Sequence, residues 1–162
     1  MSNLCFFKAC FDKELQATFK IINALPKNNL LYTPHPINRT AYEIAEHIVA
    51  HVHDFAVILQ NNAFNQKLSF PFSSPQELAK KMKALWLNTS YILETYQENQ
   101  WDSENITLSI GGKRVTEKKR DQMMWFFLKD IIHHRGQLSS YIRPMGGINP
   151  TIYGWSADTI EP

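Results

Sequence analysis

Residues 130–158 read DIIHHRGQLSSYIRPMGGINPTIYGWSAD, and the helical half of this stretch decides what kind of chain this is. Met123, Phe127, Asp130, Ile131, His134, Leu138 and Tyr141 recur at helical spacing. The pattern predicts an amphipathic helix with two polar residues on its inward face, ended by Pro144 and Gly146-Gly147. Asp130 and His134 lie one turn apart and are therefore neighbours on that face. Gly136, in the helix interior, costs about 1 kcal/mol relative to Ala, which predicts close approach by another helix or by the tail.

Working back from this helix, Thr116 is placed to cap its start, and residues 106–116, ITLSIGGKRVT, break the helical period. Ile106, Leu108 and Ile110 alternate with polar residues before Gly111-Gly112, the signal of a short β-hairpin with a two-residue turn. Such a turn sets Leu108 opposite Val115. Ser74-Pro75-Gln76-Glu77 opens a third helix running to about Glu98, with Leu78, Met82, Leu85, Trp86, Ile92 and Tyr96 inward. Thr40-Ala41-Tyr42-Glu43 has the capping-box form and opens a second helix to about Asn61. Its stripe of Ile44, His47, Ile48, His51, Phe55 and Ile58 sets two histidines where core residues belong, while His53 falls on the opposite face. A first helix spans Leu4 to Leu25 and stops at Pro26.

Residues 27–39 and 61–74 read as loops, with Phe70, Pro71 and Phe72 of the latter lying over an end of the bundle. The expected fold is all-α, a four-helix bundle with at least one crossover connection plus a short β-hairpin before the last helix. One domain over residues 1–162 is expected from the length.

Composition narrows the function by exclusion. Seventeen basic and fifteen acidic residues leave a net charge of +2, too small a field to argue for nucleic acid or an anionic membrane. The run KRVTEKKR at 113–120 carries Glu117 in its middle and does not change this. Cys5 and Cys10 diverge on one helix and read as packing residues rather than a disulfide. No stretch has the form of a signal peptide or a membrane span, so a cytoplasmic location is expected. There is no phosphate-cradling glycine loop and no nucleotide fingerprint.

An Asp on an inward stripe demands an explanation, because burying an unpartnered charge is expensive. Metal coordination supplies one. Asp130 would give an oxygen, His134 or its neighbour His133 a nitrogen, and His47 or His51 of the second helix another. Two histidines and one carboxylate leave positions open for water or substrate, an arrangement suited to catalytic zinc or non-haem iron, with nickel and manganese also compatible. The competing explanation is a hydrogen-bonded Asp130–His134 pair, or an Asp130–arginine salt bridge, without an ion. Glu43, one turn before His47, and Gln137, in line with Asp130, are candidates for supporting the ligands or moving a proton.

HHRGQLSSYIRPMGG followed by NPTIYGWSAD resembles the C-terminal signature of the DinB/YfiT-like superfamily, the damage-inducible four-helix proteins rather than the polymerase of the same name. More loosely, TAYEIAEHIVAHVHDF is similar to the second helix of that family. The resemblance implies a divalent metal held by His47, by His134 directly before Arg-Gly-Gln, and by a third residue one turn earlier. That third residue is usually His and is Asp130 here, which implies a two-histidine, one-carboxylate site or else an altered or empty one. It further implies a bacterial homodimer acting on a small molecule, either transferring low-molecular-weight thiols such as bacillithiol or hydrolysing its substrate. The alternative it leaves is a catalytically inactive stress-response binding module on the same scaffold.

Overall fold

The helix starts marked by Thr40 and Ser74 are built as read. In the computed structural model, which describes residues 1–159, the Thr40 hydroxyl accepts from the Glu43 amide at 3.2 Å. The Glu43 carboxylate in turn accepts from the Thr40 amide at 2.7 Å, and this reciprocal capping box begins helix α2, Ala41–Gln60. Ser2 caps α1, Asn3–Asn23. Ser74 caps α3, Pro75–Glu94, with Pro75 in the first turn. A second short helix, α4, Glu98–Trp101, follows a turn at Thr95 and Tyr96, so the third helix stops one turn earlier than its apolar stripe suggests. The break turns Trp101 into the core, where its ring lies 4.9 Å from that of Phe7.

The last helix, α5, spans Arg120–Ile142 and starts later than expected. Thr116 is not its cap but a residue of strand β3, Lys113–Lys119, which pairs antiparallel with β2, Asn105–Ile110. Gly111 and Gly112, at φ of +57° and +78°, make the predicted two-residue turn. Beyond it the ladder slips by one residue, so Leu108 pairs with Thr116 and Val115 is left out of register and exposed. This bulge overturns the expected Leu108–Val115 pairing. A third strand, β1, Ala63–Asn65, lies parallel to β2 inside what reads as a loop. Its single buried residue, Phe64, carries no periodicity by which it could be found.

Helices α1 and α2 each pack against both α3 and α5, which puts α1 diagonal to α2 and α3 diagonal to α5. The α1–α2 and α3–α5 connections therefore cross an end of the bundle, while α2 and α3 are neighbours. Phe7, Phe11, Phe55, Trp86, Trp101 and Phe127 fill the centre, with Phe11 and Trp86 stacked at 4.3 Å. Truncating one such ring to Ala costs about 3–5 kcal/mol. Buried Arg120 ties the corner: its guanidinium donates to the carbonyls of Ile58 and Asn61 at the end of α2, to Asn62 and to Glu104. It thereby satisfies carbonyls that a helix end leaves without partners.

Two glycine and cysteine expectations are corrected. A Cβ on Gly136 would meet nothing within 4 Å among the described residues, so none of them approaches closely there. The close approach is at Gly147, where a Cβ would stand 2.8 Å from Pro26 Cγ. Of the cysteines, Cys10 is half-buried against the core, whereas Cys5 is exposed and packs nothing.

Candidate metal centre

Two pairs of residues, each spaced by one helical turn, meet where α2 lies against α5. His47 and His51 come from α2, Asp130 and His134 from α5. The Nε2 atoms of His47 and His134 stand 3.4 and 3.3 Å from Asp130 Oδ2. Their ring centroids are 4.7 Å apart. Ligand atoms bonded tetrahedrally at 2.0–2.1 Å to one ion are separated by roughly 3.3–3.4 Å. The two distances thus match the edges of a coordination polyhedron, and the three ligand-competent atoms all lie within 4.8 Å of one another. The cluster is one capable of holding a metal ion.

His51 differs from the other two histidines. Its Nε2 is closer to the same Oδ2, at 2.8 Å, which is hydrogen-bond length. Its side chain is only 3% exposed, against 16% for His47 and 14% for His134. On its other side Nδ1 lies 3.3 Å from Gln66 Nε2. His133 stays outside the cluster: its Nε2 is 3.1 Å from the Gln137 amide nitrogen. The Gln137 oxygen accepts from His134 Nδ1 at 2.8 Å, so when the ring is neutral its proton sits on Nδ1 and Nε2 is free as a ligand. Of the residues considered in the sequence, the structure therefore brings together His47, His51, Asp130 and His134 and sets His133 aside on Gln137.

The titration of the cluster follows from its packing. Burial by itself pushes the Asp130 carboxyl up, but hydrogen bonds from His134, His47 and His51 outweigh it and hold the group well below the ordinary carboxylate range. His134 is raised: burial opposes its charge, yet the bonds to Asp130 and Gln137 more than compensate. Burial lowers His51 and keeps it neutral, with the Asp130 bond acting the other way.

Two clefts open beside the cluster. One of about 470 Å³ is lined by Arg39, Glu43, Glu46, His47 and Gln66 among others, and one of about 250 Å³ by Arg39, His134, Gln137 and Tyr141. Glu43 shares the first with His47, but its carboxylate is engaged by Thr40 and held below the ordinary range by those bonds. A larger cleft of about 650 Å³, over Phe6, Trp125 and Phe126, shares no lining residue with the cluster.

Several contributors carry no sequence signal. Gln66 and Arg39 come from loops, and only the fold carries them to the histidines. Asp54, almost fully buried one turn after His51 on α2, accepts from the Lys67 amide at 3.0 Å and from His53, so it anchors the loop that delivers Gln66. Burial pushes its carboxyl up despite the His53 bond.

The chain matches the DinB family over residues 1–161. It is 32% identical over 142 residues to the uncharacterized protein YjoA of Bacillus subtilis (strain 168), covering 84% of this chain and 86% of that one. The crystal structure of that DinB-like protein superposes with a TM-score of 0.70, covering 93% of this chain and 99% of the other, at 23% identity. A DinB-like protein of Bacillus cereus superposes at 0.71, covering 91% and 95%, at 16% identity, a likeness of fold alone. With a helical bundle, a small sheet ahead of the last helix and a His/Asp cluster between α2 and α5, this chain belongs to the DinB family.

Proposed function

We propose that the protein is a divalent-metal-dependent enzyme of the DinB class, with His47, Asp130 and His134 as ligands. The observation that carries this reading is the pair of 3.3–3.4 Å separations about Asp130 Oδ2, which fit a common ion better than two direct hydrogen bonds. A divalent ion held there supplies a Lewis acid that makes a nucleophile at neutral pH, either by acidifying water or by holding a thiol as thiolate. The chain's own groups do the rest. Gln137 fixes the His134 tautomer, and the clefts lined by Arg39, Glu43 and Glu46 admit a small polar substrate on the side where the ligands face solvent. The reaction is hydrolysis or transfer of a low-molecular-weight thiol. The mixed donor set suits zinc, iron, nickel or manganese. Among the described residues no helix is long and apolar enough to cross a membrane, and the enzyme is proposed to be a bacterial, cytoplasmic homodimer.

One observation favours a second reading. His51 is hydrogen-bonded to Asp130 and the other two histidines lie within ion-pair distance of it, so the carboxylate has partners without an ion. This reading describes a catalytically inactive DinB-like stress-response binding module. Elemental analysis of protein purified without chelator separates the two. The enzyme reading expects near-stoichiometric transition metal in the wild type, lost in Asp130→Ala and in His134→Ala, and activity in thiol-transfer or hydrolysis screens. No metal after incubation with zinc, nickel, manganese or iron(II) would leave the inactive module.

A further inference from the structure

We infer that Gln66 and His51 form a hydrogen-bonded chain that orients Asp130, making both positioning residues for the ion; this rests on the metal reading above. Three histidines surround Asp130 Oδ2, and the geometry sorts them into two kinds. His47 and His134 stand at ligand-edge separation and are partly exposed, whereas His51 is at hydrogen-bond length and sealed.

The chain's direction follows from donor chemistry. The Gln66 amide nitrogen can only donate, and it faces His51 Nδ1 at 3.3 Å. Nδ1 is then the acceptor, the ring proton sits on Nε2, and Nε2 donates to Asp130 Oδ2 at 2.8 Å. A protonated Nε2 has no lone pair for a metal, so His51 is not a fourth ligand. It occupies one lone pair of Oδ2 and holds the carboxylate with its remaining lone pairs available to an ion shared with His47 and His134.

Gln66 is itself fixed at its backbone. Its amide donates to the Ser109 carbonyl of β2 at 2.8 Å, and the next residue, Lys67, is held by Asp54. The loop after β1 thereby reaches the ligand through two side chains, and the small sheet contributes to a site made of helices.

Zinc(II) affinity, read by competition with a chromophoric chelator, tests the chain. Gln66→Leu and His51→Phe are expected to weaken zinc binding about 10- to 100-fold, the usual effect of losing the partner of a metal ligand. His51→Gln, which keeps a donor, is expected to recover part of the loss. Nitrogen-detected NMR of the imidazoles reads the tautomer directly: the His51 proton is expected on Nε2 with and without zinc, and a second proton is expected on Nδ1 in Gln66→Glu, where two carboxylates flank the ring. Unchanged affinity in folded Gln66→Leu, or a zinc-coupled, unprotonated His51 Nε2, would overturn the chain while leaving the metal reading intact. A wild type that binds no zinc would overturn both. If His51→Phe fails to fold, the Gln66 variants and the tautomer decide.

Discussion

Adjacent residues of the HHRGQ stretch build two charged clusters on different faces of α5, and the clusters have opposite character. Arg135 turns toward α1, where its side chain is 2% exposed. Its guanidinium pairs with Glu14, donates to Thr18 and to the Tyr153 hydroxyl, and lies 5.0 Å from the Tyr153 ring. It thus clasps the C-terminal tail to the bundle, helped by Asn149 on Ser139 and Asp158 on Arg143. His134, one residue earlier, turns with Asp130 toward α2, where the ligands are partly exposed and flanked by clefts. A buried charge paired with a carboxylate and bonded to two other segments holds a structure together. Polar groups that converge with space beside them are available to a ligand.

The sharpest way to break this comparison is to remove the clasp. Arg135→Ala leaves the Glu14 carboxylate with the Tyr153 hydroxyl but without its charge partner, and is expected to lower stability by about 3 kcal/mol, measured by urea denaturation. Zinc stoichiometry in the fraction that stays folded is expected to be unchanged, and a loss of metal there would show that the two faces are one unit. Gln137→Leu probes the open face alone. It frees the His134 tautomer and is expected to weaken zinc binding about tenfold, read by chelator competition, with little change in the metal-free melting temperature.

The smallest effect is in pH. In the metal-free protein the folded pKa of His134 lies above its ordinary value of 6.5. Its contribution to stability is therefore fully present below about pH 6.5 and is lost as pH rises through the raised value. Asp130 is shifted the other way, so its contribution persists above the ordinary carboxylate range and declines only in acid. A bound ion needs His134 without its proton, and the stabilisation it brings grows with pH. The gap between melting temperatures with and without zinc is expected to widen from about pH 6 to about pH 8; a constant gap would mean that His134 is not a ligand.

Much of the bundle was legible because its signals are local. Ser74-Pro75 and Thr40-x-x-Glu43 announce their helices through bonds that span three residues, and Gly111-Gly112 announces its turn through two positive φ angles. The misses are equally physical. Thr116 looks like a cap, but pairing with Leu108 across the sheet claims it for a strand. Gly136 looks like a contact point, but among the described residues no other element reaches it. The bulge at Leu108 and Ser109 is a property of two strands together, and strand β1 exists only because β2 offers it an edge.

The same division runs through the site. Sequence by itself determined that Asp130 and His134 share a face, as do His47 and His51, because one helical turn is a local constraint. It determined too that a carboxylate on an inward stripe needs a partner. Only tertiary packing sorts the histidines around Asp130, with His51 sealed against Gln66 and His47 and His134 left at ligand separation. Those assignments rest on differences of about half an ångström between segments some eighty residues apart in the chain. The packing of α2 against α5 sets such distances, and no pattern along one helix contains them.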